Sequence, residues 1–363
     1  MGIAGCQESG LRATTGAFLA YLLIYPAVTG CDRSSPPAGG AAAGQSAASV
    51  AVVGPWESHP QWAGISGGAQ RYATAVPAVR VLCSAPTSAT AERLLGTVQR
   101  ALEQRPQAVC LYVVDPDAAR ASVGAILARQ IVLVTIGQRP DDSRVYGHVG
   151  VDLAAGAELL GEHLSSLAAG RRSYLLVHES AAGPAATECC QRFMSAARRH
   201  IEPTLLQSVD AADSSQSPTE LIESLLHTFP HAGLLVTLNP DVWLTVRAGW
   251  SRRLRELNSE FRFTTLAAPP VLWRWLGTPA SPGEAAALVG PLDGEIGFAA
   301  VEIAAQALLS TGSRTPVRRI PCELVTPENL PDFARRYAEA AGGLDVAGYL
   351  PTTRPGATRA AGE

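Results

Sequence analysis

Seven histidines, seven cysteines and thirty-two carboxylates give this chain ample means for chemistry, and their spacing decides which chemistry is open to them. No GxSxG elbow, phosphate-binding GxxxxGK loop or HExxH zinc helix occurs. His227 and His231 stand four apart, but Pro230 between them removes the shared helical face that two metal ligands need. Cys83, Cys110, Cys189, Cys190 and Cys322 fit neither a zinc pattern nor a CxxC redox pair. The carboxylate pairs Asp141–Asp142 and Asp115/Asp117 fall on turns, and Asp117 reads as a helix cap. The sequence therefore points away from an enzyme, a metal or a cofactor and towards binding. Asn239 and Asp241 follow an apolar run in "TLNPD", where their side chains suit either the hydroxyls of a ligand or the cap of the next helix. Trp56, His59 and Trp62 follow the first apolar run of the body. The indoles suit either stacking or packing, and His59 reads as solvated more than as a contact.

The elements that must position these residues are read from periodicity. Apolar runs at 49–54, 79–84, 108–114, 131–136, 173–178, 204–209, 233–238, 262–266 and 286–290 read as buried strands. Helical patterns lie between them at 62–76, 88–104, 117–129, 153–169, 184–200, 218–228, 241–258 and 294–311. Such alternation implies parallel sheets covered on both faces and right-handed crossovers, hence an α/β protein. Nine or ten strands suit two doubly wound lobes of five or six strands better than one sheet. The glycines of "VYGHVGVDLAAG" (145–156) mark a boundary between them. Ligands of open parallel sheets sit beyond the carboxyl ends of the strands, so the expected site is a cleft between the lobes. Cys83 and Cys110 lie on runs that could be neighbouring strands, which leaves a disulfide and two buried thiols both open.

The bulk numbers agree. Hydrophobic residues make up 47% and charged residues 17% of 363, enough for a sizeable core. The net charge is −3, every basic residue is Arg, and no basic stripe marks a nucleic-acid partner. The segment "GAFLAYLLIYPAV" (16–28) is too short to cross a ~30 Å hydrocarbon core as a helix but has the length of a signal-peptide apolar region. Val28-Thr29-Gly30-Cys31 comes next and resembles a bacterial lipobox, which implies lipidation of Cys31 and a membrane anchor; an ordinary signal peptide is the alternative. Residues 32–49, rich in Ala, Gly, Ser and Pro, read as a flexible tether, and "GYLPTTRPGATRAAGE" (348–363) as a disordered tail.

In order, "SHPQWAGISGGAQRYA", "VVDPDAARASVGAILARQIVLVTIG", "YGHVGVDLAAGAELLGEHL", "LNPDVWLTVRA" and "LVTPENL" resemble segments of the type I periplasmic binding proteins, especially the sugar-binding members related to ribose-binding protein. The resemblance spans about residues 50–330. It implies two lobes joined by a three-crossover hinge: residues 50–151 with 291–320, and 152–290 with 321–342, after a signal peptide (1–30) and tether (31–49) and before a tail (343–363). It implies stacking of a sugar on Trp62, with Trp56 on the same loop, and hydroxyl contacts from Asn239, Asp241, Gln138 and Arg139. The chain also departs from the sugar-binding pattern. It reads Gly137-Gln138-Arg139 where Asp and Arg are usual, Cys189 where an Arg is usual, and Ala267-Ala268 where an Asp is usual; the family's Gln falls near Gly290 or Pro291. The expected partners are a small solute such as a sugar or polyol, an ABC permease or a sensor receptor, and a membrane through the lipid anchor. The alternatives are ligand presentation to a sensor or chemoreceptor, and an envelope interaction protein with a vestigial cleft. A repressor of the same fold would need a DNA-binding segment where the export signal stands.

Overall fold

A computed structural model describes residues 47–168, 170–180, 183–238, 261–276, 285–309 and 316–351. Cys31, the tether up to residue 46, Asn239, Asp241 and the helix expected at 241–258 lie outside the described residues.

Twelve described strands form two six-stranded sheets. The first holds β1 (Ala48–Val53), β2 (Val79–Ser84), β3 (Ala108–Val113), β4 (Val132–Gly137), β5 (Gly147–Val151) and β11 (Val317–Ile320), in the order β11-β5-β4-β3-β1-β2. All its pairings are parallel. The second holds β6 (Ser173–His178), β7 (Thr204–Asp210), β8 (Leu234–Thr237), β9 (Arg262–Thr265), β10 (Ala285–Gly290) and β12 (Glu323–Val325), in the order β12-β10-β9-β8-β6-β7. Here the expectation of parallel strands needs correction at one edge, because β12 runs antiparallel to β10. The chain reaches β12 from β11, a strand of the other sheet, across Pro321 and Cys322 alone.

Helices cover both faces of each sheet. On the first, α1 (Trp62–Ala75) and α9 (Asp293–Leu309) enclose Val50, Val52, Ile65, Cys110, Val134, Ile296 and Ala300, while α2 (Ala91–Glu103) and α3 (Pro116–Leu127) cover Val53, Leu111, Leu133 and Ile126. On the second, α4 (Leu153–Glu162), α5 (Leu164–Ala168) and α6 (Pro184–Ala197) cover one face, with Phe193 and Leu176 at its centre. The other face lies under α7 (Pro218–Thr228), α8 (Pro270–Trp273) and α10 (Leu330–Ala340), where Trp273, Phe333 and Tyr337 meet edge to face or tilted.

Local chemistry sets the helix starts. Thr90, Asp115, Asp152 and Ser217 cap their helices through side-chain oxygens, and Ser217 with Glu220 completes a capping box. The cap at α3 is Asp115, not Asp117: its Oδ1 accepts from the Asp117 and Ala118 amides at 2.8 and 3.4 Å, while Asp117 pairs with Arg120. The long helix expected at 153–169 divides at His163, whose Nδ1 lies 3.0 Å from the Leu159 carbonyl oxygen.

The structure also decides the state of the two cysteines and the start of the tail. Cys83 and Cys110 both stand in register with Val52, on opposite sides of β1. Two strand spacings of ~4.8 Å separate them, beyond the ~7 Å reach of a disulfide, and both are free thiols. The first residues of the tail expected at 343–363 are packed: Leu344, Val346 and Leu350 lie against the second sheet's core, because the chain leaves α10 beside the apolar surface of Trp273 and Phe333, and residues from 352 on lie outside the described residues.

Candidate ligand-binding site

The site begins in the loop after β1. Gly54 ends the strand, and its amide donates to the Ser84 carbonyl at 2.8 Å. A Cβ at Gly54 would lie 2.3 Å from the Trp62 ring, so only glycine lets the indole rest against the strand end. Trp62 is half-buried against the first core. The loop folds back through two backbone bonds, His59 N to Trp56 O and Trp62 N to His59 O, each 3.0 Å. His59 then stands edge-on to Trp56 at 4.4 Å and tilted to Tyr112 of β3 at 5.6 Å. It is only 9% exposed, and burial lowers its pKa to about 4. The solvated reading of His59 is therefore overturned: it is a neutral ring within an aromatic shelf made of Trp56, His59 and Tyr112, with Trp62 at the start of α1.

Polar anchors hold this shelf from behind. Gln61 precedes α1 but its side chain makes no cap. Its Oε1 accepts from the Tyr112 hydroxyl at 3.1 Å, and its Nε2 donates to Asp293 Oδ1 at 2.9 Å. The other Asp293 oxygen accepts from the Tyr337 hydroxyl at 2.6 Å. Asp293 is 2% exposed, and burial raises its pKa to about 7 against the pull of these two donors. Neither Gln61 nor Asp293 was marked by sequence reasoning. An acidic residue at a helix start reads as an ordinary first-turn carboxylate until its burial is known.

Gln138 and Arg139 leave β4, the neighbour of β3, at the same end of the sheet, and both are exposed. Gly137 makes the turn with φ of +83°, and a Cβ there would meet the Val113 carbonyl at 2.8 Å. The Gln138 amide donates to that carbonyl at 2.9 Å. Arg139 adds positive potential towards His148, whose pKa is pushed down to about 4, mainly by burial.

The second sheet presents a different face. His178 closes β6, with Nδ1 2.9 Å from Ser180 Oγ, Nε2 3.1 Å from Ser208 Oγ, and Asp210 Oδ2 at 3.5 Å. This polar cluster was also missed, because its members are spread over two strand ends. Ala267 and Ala268 after β9 are buried and apolar, and a Cβ at Gly290 would press on Ala268 at 2.8 Å. The structure thus joins Trp56, His59, Gln61 and Tyr112 on one shelf, places Trp62 beside it against Gly54 with its backbone N–H bonded to His59 O, sets Gln138 and Arg139 at the end of the adjoining strands, and leaves Asn239 and Asp241 undescribed. Among the described residues no cluster of three or more His, Cys, Asp or Glu suits a metal ion.

Between the sheets the chain crosses three times: from β5 into α4, from β10 into α9, and from β11 into β12. The first and third crossings are tied by the Asp152 amide donating to Ile320 O at 2.9 Å. Residues 50–312 match the family model described as "periplasmic binding protein domain". The chain belongs to the periplasmic binding protein family. Its two six-stranded lobes are the type I, ribose-binding-protein-like fold. Members of the family bind ligands extracytoplasmically and are not enzymes. Solved structures of this fold are similar throughout their length. An Agrobacterium vitis ABC-transporter solute-binding protein with bound α-D-tagatopyranose aligns at TM-score 0.64 and 14% identity, over 80% of this chain and 98% of its own. A Bacillus halodurans solute-binding protein with bound myo-inositol aligns at 0.61 and 16%, over 81% and 100%. A glucose-galactose binding protein from Geobacillus stearothermophilus aligns at 0.59 and 17%, over 78% and 99%. No curated protein matches. No described helix is long and apolar enough to cross a membrane.

Proposed function

We propose that this chain captures a sugar or polyol at the strand ends of its first lobe and delivers it to an ABC importer, held at the membrane by a lipid on Cys31. The observation that carries the reading is the aromatic shelf of Trp56, His59, Trp62 and Tyr112 at the carboxyl end of a parallel sheet. Aromatic faces stack on the CH surface of a sugar ring, while Gln138 and Arg139 beside them supply donors for hydroxyls. The opposing lobe offers Ala267 and Ala268 rather than a carboxylate, which favours a ligand with one stackable face and few hydroxyls on the other. A hydroxyl buried there without a partner costs about 1–3 kcal/mol. Neighbouring folds bind molecules that bracket this range, from allitol and myo-inositol to 5-methylthioribose.

A thermal-shift panel of tagatose, myo-inositol, allitol, galactose and 5-methylthioribose tests the reading. A ligand at 100 times its Kd stabilises by about 2.7 kcal/mol, a shift that the panel resolves. Trp62→Ala is expected to abolish the response of any hit. A folded, cooperative protein that answers to no member of the panel, nor to its deoxy analogues, would overturn sugar capture and favour an envelope partner instead. Incorporation of labelled palmitate that is lost in Cys31→Ala would support the anchor.

A further inference from the structure

We infer that Asp293 is a positioning residue: shared between Gln61 and Tyr337, its carboxylate fixes the aromatic shelf and ties it to the last helix of the second lobe. The inference rests on the reading of that shelf as the ligand face. The path is continuous. Tyr337 on α10 donates to Oδ2 at 2.6 Å, Gln61 donates to Oδ1 at 2.9 Å, and Tyr112 donates to Gln61 Oε1 at 3.1 Å. The Gln61 backbone N–H also donates to His59 Nδ1 at 3.3 Å, which joins the loop of the shelf to the same residue. It is the side-chain amide that Asp293 orients. An amide has one oxygen and one NH2, so fixing either end fixes the other. With Asp293 ionised, Gln61 must turn its NH2 towards the carboxylate and its oxygen towards Tyr112. Remove the charge and Gln61 is free to reverse, which takes that acceptor away from the hydroxyl of Tyr112, the ring neighbour of His59.

Tyr337 belongs to the second lobe, packed edge-on against Trp273 at 5.2 Å. Asp293 itself opens α9, the second crossing between the lobes. The packing there leaves no slack: a Cβ at Gly64 would lie 2.7 Å from both Asp293 Cβ and the Tyr337 hydroxyl. A tilt of one lobe relative to the other therefore reaches the shelf through a single side chain.

The groups around Asp293 separate cleanly in titration. From α10 comes Tyr337, held well above the usual phenol range by burial; from the third crossing, Cys322, pushed up to about 12; from the shelf, His59, at about 4. Tyr349 lies close enough to raise Tyr337 further, Tyr112 meets this set through Gln61, and Arg71 is paired with Glu295 at 2.6 Å.

The test is fluorine NMR on the full chain carrying 5-fluorotryptophan, without ligand, with Trp56→Phe and Trp62→Phe to assign the shelf signals. Asp293→Asn and Tyr337→Phe are each expected to move the Trp56 and Trp62 signals. In the parent these signals should titrate near pH 7, where burial places Asp293, and in Asp293→Asn the titration should vanish. Trp273 touches Tyr337 whatever Asp293 does, so its signal serves as the control. Shelf signals unmoved in both variants while Trp273 responds to Tyr337→Phe would overturn the inference, as would a titration that survives Asp293→Asn. Should Asp293→Asn fail to fold, Tyr337→Phe and the parent titration decide together: Tyr337→Phe breaks only the tie to the second lobe, and shelf signals that neither move in it nor titrate near pH 7 in the parent would overturn the inference. The readout needs no ligand: a responsive shelf with a silent sugar panel sinks the sugar reading, and the converse sinks this one.

Discussion

His59 and Asp293 pull the pH dependence of stability in opposite directions. His59 is buried neutral, with its folded pKa at about 4 against 6.5 unfolded. Its contribution is present above 6.5 and is lost as pH falls towards 4, by up to about 3 kcal/mol. Asp293 has its folded pKa raised to about 7 from 3.8. Its contribution is fullest below 3.8 and is lost as pH rises through 7, by up to about 4 kcal/mol. Between the two values the slopes oppose each other, so the parent protein should show a shallow profile. Urea denaturation at a series of pH values is expected to uncover a steeper acid loss in Asp293→Asn and a steeper alkaline loss in His59→Phe. A parent profile unchanged by either substitution would mean that neither group stays buried. For the cysteines, both Cys83 and Cys110 should alkylate after unfolding without reductant, read by intact mass.

At the scale of elements, the contact of α1 with α9 and the end of α10 decides how the first lobe is closed. A Cβ at Gly68 would lie 1.8 Å from Gly294 O, one at Gly297 1.9 Å from Ile65 O, and one at Gly67 2.1 Å from Ala341 O. These neighbours are backbone and cannot step aside, so Gly68→Ala and Gly297→Ala should each cost about 2–3 kcal/mol or more in chemical denaturation. Gly124 in α3 has nothing within 4 Å, and Gly124→Ala should instead stabilise by about 0.5–1 kcal/mol. Most of these elements were legible in the sequence. Buried strands such as "AVCLYVV" and "SYLLVH" carry unbroken apolar runs, and the structure places them within a residue of the expected ends. Strand β11 was not, because "VRRI" is a short edge with three exposed residues and no apolar signature. The site was legible in part. Tryptophans after a strand announce a surface, but the Gln61–Asp293–Tyr337 path joins residues 232 and 44 positions apart, and no local pattern records that.

For the whole molecule, the second core extends past α10 through Leu344, Val346 and Leu350. Ending the chain after Gly343 should lower the melting temperature relative to ending it after Pro351, because it removes Val346, buried and worth roughly 1.5–3 kcal/mol, and the half-buried Leu344 and Leu350, and uncovers the core beneath them. Equal melting temperatures for the two truncations would sink that prediction. The interleaved crossings have a further consequence, for how the chain is made. The first lobe takes its inner helix from residues 293–309 and its edge strand from 317–320, after the whole of β6 to β10 has been assigned to the other lobe. A ribosome releases the chain from its N-terminal end at about 5–20 residues per second. Strands β1 to β5 therefore emerge early and wait with only α1 on their apolar face around Val50, Cys110 and Val134, until α9 arrives to complete its cover. Neither half can finish before the residues from Asp293 to Val325 exist, so the newborn chain stays open and threadable until then.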